Sequence, residues 1–130
     1  MKRTGFIGGS DCVRIMQGHW LELWQVKTGR AESDDLSRNI AVQMGIHTED
    51  FNLNWFETEH GKQMHTRYAV LSDHQLELQE TIGSVPAKGT VDAMFNGSIV
   101  EAKHTNAMNN MDNVIEYYMP QIQTYARLAD

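Results

Sequence analysis

The feature that most constrains this chain is an Asn-Gly pair between two runs of alternating residues. Residues 89–95 read GTVDAMF, residues 98–103 read SIVEAK, and Asn96-Gly97 lies between them. Asn-Gly is the strongest short signal for a two-residue hairpin, because a type I′ turn needs positive φ at both central residues. The sequence therefore predicts a β-hairpin over residues 89–103.

This turn fixes which residues of the hairpin share a face. With Asn96-Gly97 at the tip, Asp92 opposes Glu101 across the two strands. The opposite face carries only apolar side chains and is predicted to be the core side: Val91, Ala93, Phe95, Val100 and Ala102. The polar face then carries Asp92, Glu101 and Lys103.

Two directly opposed carboxylates repel each other and destabilise a hairpin. A divalent cation between them converts this repulsion into coordination, and Mg²⁺ prefers carboxylate oxygens. Lys103 could then orient a water nucleophile and stabilise charge on a phosphate in the transition state. These residues alone leave two interpretations open. The face is either a metal site for phosphodiester hydrolysis or a solvated surface on which Lys103 neutralises the two acids.

Length, charge and cysteine content narrow the class of protein. The chain has 130 residues, a formal net charge of −6 and one cysteine. This length fits one domain, residues 1–130. The negative charge argues against a protein that coats nucleic acid, because contact with phosphates needs Lys and Arg. It does not argue against a nuclease, because a bound metal ion reverses the negative charge of the carboxylates that hold it. Because Cys12 has no disulfide partner and no apolar run could span a bilayer, we expect a cytoplasmic protein.

The remaining patterns predict an α/β protein with a helical N-terminal part. Four helices are expected before residue 62. The predicted N-caps are Ser10, Asp34 and Thr48, and the predicted helix ends are at Gly29, Gly45 and Gly61. Short strands are expected within residues 67–72 and 76–85, and a loop over residues 104–113. A last helix follows, which is kinked at Pro120 or begins near Met119.

The spacing D-x₈-E-x-K on a hairpin resembles the core of the PD-(D/E)XK nuclease superfamily. Val91 stands where that motif has its nominal proline. The segment Gln121-Ile-Gln-Thr-Tyr125 is similar to the QxxxY element of the RecB-like branch, and residues four apart share a helix face. The resemblance implies a restriction-endonuclease-like core, a small mixed sheet flanked by helices. It also implies catalytic roles for five residues: Asp92, Glu101, Lys103, Gln121 and Tyr125.

Three N-terminal segments narrow the resemblance to the YqaJ-type viral recombinase family, relatives of phage lambda exonuclease. They are Ile7-Gly-Gly-Ser-Asp11, the LELWQVKTGR stretch from Leu21 to Arg30, and Gly45-Ile-His-Thr-Glu49. The resemblance runs from about Arg3 to the C-terminus. Family members usually continue past the QxxxY helix, so the chain is either a minimal member or a truncated piece.

The family resemblance also implies a ligand set and a substrate. Glu49 would be the third metal-site carboxylate, beside Asp92 and Glu101, and the backbone carbonyl of Ala102 a further ligand. Arg3 and Ser10 would bind the 5′-phosphate of a DNA end. The implied activity is Mg²⁺-dependent, with Mn²⁺ able to substitute, and runs 5′-to-3′ on double-stranded DNA ends in phage-type recombination. Implied partners are other copies of the chain in a ring and a single-strand-annealing protein, with no membrane.

Two other functions stay open at this stage. An endonuclease of the same superfamily would use the same acids and lysine. Its iron–sulfur version is excluded, because the cluster needs four cysteines and this chain has one. A non-catalytic DNA-end-binding module with a degraded site is the alternative outside enzymes.

Overall fold

The computed structural model describes residues 4–64 and 70–130, which form two compact units. The first comprises the described part of Met1–Asp34 with Glu77–Thr90 and Asn109–Asp130. The second comprises the described part of Asp35–Leu76 with Val91–Met108. The elements in chain order are α1 Gly9–Met16, α2 Trp20–Lys27, α3 Ile40–Gln63, β1 Leu76–Ile82, β2 Val85–Val91, β3 Ala93–Phe95, β4 Ser98–Val100 and α4 Met111–Ala129.

In the first unit, helix α1 begins earlier than its predicted cap. Gly8 is the N-cap, and its N–H donates to the carboxylate of Asp11 at 2.8 Å. The prediction that Ser10 caps this helix is therefore wrong, because Asp11 takes the capping role and Ser10 lies inside the first turn. Helix α2 ends as predicted, since Gly29 follows it with a φ of 75°.

Helix α4 starts earlier than its proline suggested. The Asn110 side chain accepts from the N–H of Asn113 at 2.8 Å and so caps the helix. Pro120 lies inside the helix, so of the two predicted alternatives the helix that contains Pro120 is confirmed and the start near Met119 is wrong. The predicted loop therefore ends at Asn110 instead of residue 113.

Strands β1 and β2 form a two-stranded antiparallel sheet. The N-terminal segment joins it through a parallel bridge between Ile7 and Ala87. The N–H of Ile7 donates to the carbonyl of Pro86 at 2.9 Å, and the N–H of Lys88 donates back to Ile7 at 3.0 Å. This bridge sets the residues before α1 beside β2.

In the second unit, α3 is one helix of 24 residues where the sequence predicted two. The cap is Asn39, whose Oδ1 accepts from the N–H groups of residues 41 and 42 at 3.1 and 3.2 Å. Asp34 and Thr48 are not caps, and the hydroxyl of Thr48 donates to the carbonyl of Met44. Gly45 does not end the helix. An internal glycine costs about 1 kcal/mol relative to alanine, which tertiary packing can override.

The hairpin of β3 and β4 has the predicted turn and register, but it spans residues 93–100 and not the predicted 89–103, because residues 89–91 belong to β2. Asn96 and Gly97 have φ values of 49° and 79°, and Ala93 pairs with Val100. Its apolar face packs in the core of the unit, whose members are Leu53, Phe56, Leu71, Ala93, Phe95, Val100 and Ala102. The α/β class is confirmed. The single mixed sheet is not, because the strands of the described residues form two two-stranded sheets.

The strand expected within residues 67–72 falls partly outside the described residues. Of its described part, Ser72 forms an antiparallel bridge to Met94, with hydrogen bonds of 2.9 and 2.7 Å in the two directions. The carboxylate of Glu57 on α3 accepts from the N–H groups of Val70 and Leu71 at 3.1 and 2.8 Å. These contacts tie the segment before β1 to both the hairpin and α3.

Candidate active site

The two acids of the hairpin lie just beyond its ladder, Asp92 before β3 and Glu101 after β4. The ladder ends at the Ala93–Val100 pair, so the predicted Asp92–Glu101 pair is not part of it. Instead, Oδ2 of Asp92 accepts from the N–H of Ala102 at 2.7 Å. This hydrogen bond fixes the Asp92 carboxylate next to the residue that follows Glu101.

Both carboxylates are buried. Asp92 is 8% exposed and the Glu101 side chain 7% exposed. Oε2 of Glu101 forms an ion pair with Nζ of Lys103 at 3.3 Å. Oε1 of Glu101 is buried and has no hydrogen-bond partner within the described part of the chain. The interpretation as a solvated hairpin face is therefore wrong, because a solvated face does not bury two acids.

Glu49 approaches the same pair from α3. Its Oε1 accepts from Nε2 of Gln75 at 2.9 Å, and the N–H of Gln75 donates to the carbonyl of Asp92 at 3.1 Å. Gln75 thus contacts two of the three predicted metal-binding acids. No sequence signal identified it. Its φ of 55° is unusual for a residue other than glycine, and such backbone strain clusters at functional sites.

The three acids all have raised pKa values. Burial raises the pKa of Glu101 to about 7; the charge of Asp92 adds to the shift and Lys103 opposes it. Burial also raises the pKa of Asp92, against the hydrogen bond from Ala102 and the charge of Lys103. The pKa of Glu49 is raised by burial and then by Asp92. Several acids with raised pKa values in one place are typical of a functional site.

The donor set fits a hard divalent cation. Mg²⁺ and Mn²⁺ take carboxylate and carbonyl oxygens, which are the groups present here. Oε1 of Glu101, which accepts no hydrogen bond from the described residues, is an oxygen that a cation would satisfy. Across residues 4–64 and 70–130, however, no three Asp, Glu, His or Cys side chains are close enough to form a complete ligand cluster. Glu49, Asp92 and Glu101 belong to the same unit, and a complete ligand set would need these side chains to come closer together.

The raised pKa of Glu101 predicts a pH-dependent stability of the metal-free protein. A carboxyl group with a higher pKa in the folded state binds more protons there, so its contribution to stability falls as pH rises from about 4.5 to about 7. Glu101→Gln removes this loss. At pH 8 in EDTA the free energy of unfolding of the variant should exceed that of the wild type by about 1–2 kcal/mol, after allowance for the lost ion pair. Its Tm should therefore be a few degrees higher.

Thermal melts at pH 8 and pH 4.5 would test this expectation. The gain should disappear at pH 4.5, where the folded state keeps Glu101 protonated and the stability loss has not set in. Glu116→Gln, an exposed position on α4, is the matched control and should leave Tm unchanged at either pH. An equal Tm difference for Glu101→Gln at both pH values would contradict the electrostatic origin of the effect.

The other predicted site residues belong to the first unit. Gln121 and Tyr125 share a face of α4, as predicted, and are 7% and 6% exposed. Nε2 of Gln121 donates to the hydroxyl of Tyr125 at 3.1 Å. Ser10 is exposed in the first turn of α1. Arg3 lies outside the described residues.

The first unit also contains an ion pair that no sequence pattern indicated. Lys27 on α2 contacts the carboxylate of Asp11 at 2.7 Å, and both side chains are largely buried. Asp11 is the residue that caps α1, so Lys27 supports the cap. Both residues belong to the segments quoted above for the family resemblance, but their spacing gave no reason to pair them.

The family model described as a YqaJ-like viral recombinase domain matches residues 1–130. Among curated proteins and among solved structures, no significant match was found. No helix in the described ranges is both long and apolar enough to cross a membrane.

Proposed function

Since this chain belongs to the YqaJ-like viral recombinase domain family, we propose that it is a Mg²⁺-dependent deoxyribonuclease acting in phage-type recombination. The observation that carries the proposal is the buried pair Asp92 and Glu101 beside Lys103, with one Glu101 oxygen that has no hydrogen-bond partner among residues 4–64 and 70–130. Burying such a group without compensation costs about 1–3 kcal/mol or more, which a purely structural hairpin has no reason to bear.

Each of these residues would have a role that follows from the chemistry of its side chain. Asp92, Glu101 and Glu49, with the carbonyl of Ala102, would hold the cation. Mg²⁺, or Mn²⁺ in its place, would polarise a phosphate oxygen and offset the negative charge of the transition state. Lys103, already paired with Glu101 at 3.3 Å, would orient the attacking water and donate to the phosphate. Gln75 would keep Glu49 and Asp92 in place through its two hydrogen bonds.

We propose that the substrate is the end of a DNA duplex. We infer 5′-to-3′ digestion of double-stranded ends, with Arg3 and Ser10 binding the terminal 5′-phosphate. Ser10 is exposed in the first turn of α1, where backbone N–H groups and the helix dipole favour an anion. We propose further that identical chains assemble into a ring and that a single-strand-annealing protein is a partner. The proposed location is the cytoplasm, that of the host if the protein is encoded by a phage.

A comparison of DNA ends tests this proposal against its rivals. Linear duplex with a 5′-phosphate should be degraded faster than the same duplex with a 5′-hydroxyl, and only when Mg²⁺ is present. The preference should shrink in Arg3→Ala and in Ser10→Ala. A charge-assisted hydrogen bond of about 1.5–3 kcal/mol corresponds to roughly one to two decades in rate if fully expressed.

Ser84→Ala, an exposed serine between β1 and β2, is the matched control and should keep the preference. Closed circular duplex should resist digestion. An endonuclease would cut circles and ignore the end group, and that result would reject the exonuclease while leaving the metal site intact. A binding module would cut neither substrate with any metal.

A further inference from the structure

The ring of Tyr125 packs between two glycines that are far apart in sequence. A Cβ built on Gly9 would lie 2.6 Å from Cε1 of Tyr125 and 2.8 Å from Cγ of Gln121. A Cβ on Gly89 would lie 2.4 Å from Cε1 of Tyr125. Non-bonded carbon atoms prefer about 3.5–4.0 Å. Neither glycine has a positive φ, so both positions need glycine for space and not for backbone conformation.

These contacts join three segments of the first unit. Gly9 opens α1, Gly89 lies in β2 and Tyr125 lies on α4. The hydroxyl of Tyr125 accepts from Nε2 of Gln121, and both side chains are more than nine-tenths buried. Buried this deeply and bonded to each other, they are held within the unit. The Tyr125 ring therefore packs directly against the backbone of α1 at Gly9 and of β2 at Gly89.

The packing of Gly9 against Tyr125 also affects the next residue, Ser10. Ser10 is exposed while Gly9 beneath it is buried against Tyr125. The orientation of the first turn of α1, and with it the hydroxyl of Ser10, therefore depends on how closely Gly9 approaches the ring. Gly89 contacts the same ring from β2 and limits its movement.

We propose that Tyr125 is a positioning residue. Its ring, packed between Gly9 and Gly89, sets the first turn of α1 so that Ser10 meets the 5′-phosphate of a DNA end. Gly9 and Gly89 are determinants of that end recognition because any side chain there displaces the ring. This inference rests on the proposed function, and it gives Tyr125 a role different from the catalytic one predicted from the sequence.

The packing itself is tested by thermal melts, which do not depend on activity. Gly9→Ala and Gly89→Ala should each lower Tm by about 5–15 °C, since overpacking a core is destabilising. Gly45→Ala is the matched control. Gly45 lies inside α3, and no atom of the described residues comes within 4 Å of its built Cβ, so the same substitution should keep or raise Tm. In a Tyr125→Ala background, Gly89→Ala should have little further effect.

The positioning role is tested by a split between KM and kcat, measured well below each Tm. Gly89→Ala should raise KM roughly tenfold for 5′-phosphorylated linear duplex, leave KM for the 5′-hydroxyl duplex unchanged and leave kcat unchanged on both. Tyr125→Phe keeps the ring and should keep kcat within about threefold of the wild-type value. A tyrosine acting in proton transfer at the reacting phosphate would instead lose about 10²–10⁴-fold in kcat on this substitution.

Binding of the same duplexes in EDTA, followed by fluorescence anisotropy, separates this inference from the nuclease itself. A wild-type protein that cuts nothing but prefers 5′-phosphorylated ends, with the preference lost in Gly89→Ala, would reject the nuclease and support the positioning role. The inference is overturned if Gly89→Ala changes KM equally for both end types, or if Tyr125→Phe loses much of its kcat. It is also overturned if Gly89→Ala lowers Tm as much in the Tyr125→Ala background as in the wild type. A wild type with no end preference in either assay also overturns it.

Discussion

Asp92→Asn should lower Mg²⁺-dependent cleavage of linear duplex DNA by at least about 10²–10³-fold, and Glu101→Gln should do the same. Both substitutions keep the size of the side chain and remove its charge. In Asp92→Asn the amide oxygen can still accept from the N–H of Ala102, as the Asp92 carboxylate does at 2.7 Å, so the hairpin should stay folded. Initial rates at saturating Mg²⁺, with circular dichroism spectra of each variant, would measure both effects.

Asp50→Asn supplies the matched control for these variants. Asp50 is the exposed neighbour of Glu49 on α3, and its replacement removes an acid from the same unit without removing one of the three proposed ligands. Its cleavage rate should stay near that of the wild type. If Asp92→Asn or Glu101→Gln cuts DNA at a near wild-type rate, these residues do not form the active site.

The local part of the fold could be predicted from the sequence. Asn96-Gly97 demands positive φ at two successive residues, and few structures other than a tight hairpin provide it. Once the turn is fixed, alternation alone assigns the core face, and Ala93 and Val100 pack as expected. Short-range backbone geometry and period-two patterning were sufficient for these features.

Features decided by distant packing could not be predicted. Gly45 and Thr48 are reasonable boundaries in a local reading, yet α3 runs through both. The helix packs Leu53 and Phe56 against the hairpin, and tertiary packing of this kind can override the cost of an internal glycine. Likewise, the sequence could not show whether Asp92 and Glu101 were buried, because burial depends on the segments that pack around the hairpin.

The contacts around the candidate site show the same limit. Gln75 reaches Glu49 across 26 residues of sequence, and no periodicity connects them. Gly8 and Gly9 belong to a segment that resembles a family motif, and the need for glycine at position 9 comes from the Tyr125 ring beside it. A sequence motif identifies residue types, whereas the space that each residue must leave free is a property of the folded chain.

Lys103→Ala should lose most of the activity, about 10²–10³-fold, and yet bind Mn²⁺ with nearly unchanged affinity. An ammonium group donates hydrogen bonds and cannot serve as a ligand, so its proposed role concerns the water and the phosphate. Removing it also takes away the ion pair with Glu101 at 3.3 Å, which frees a carboxylate oxygen for the cation. Titration calorimetry with Mn²⁺, beside cleavage rates, would measure the two properties separately.

Lys62→Ala is the control for this variant, because Lys62 forms an exposed ion pair with Glu59 at 3.0 Å on α3, and such pairs contribute little. Activity and metal affinity should both be unchanged in it. If Mn²⁺ affinity collapses together with turnover in Lys103→Ala, the lysine organises the acids instead of acting in hydrolysis. Retained affinity with lost turnover would place Lys103 in the chemical step, since the carboxylates alone would then suffice to hold the metal.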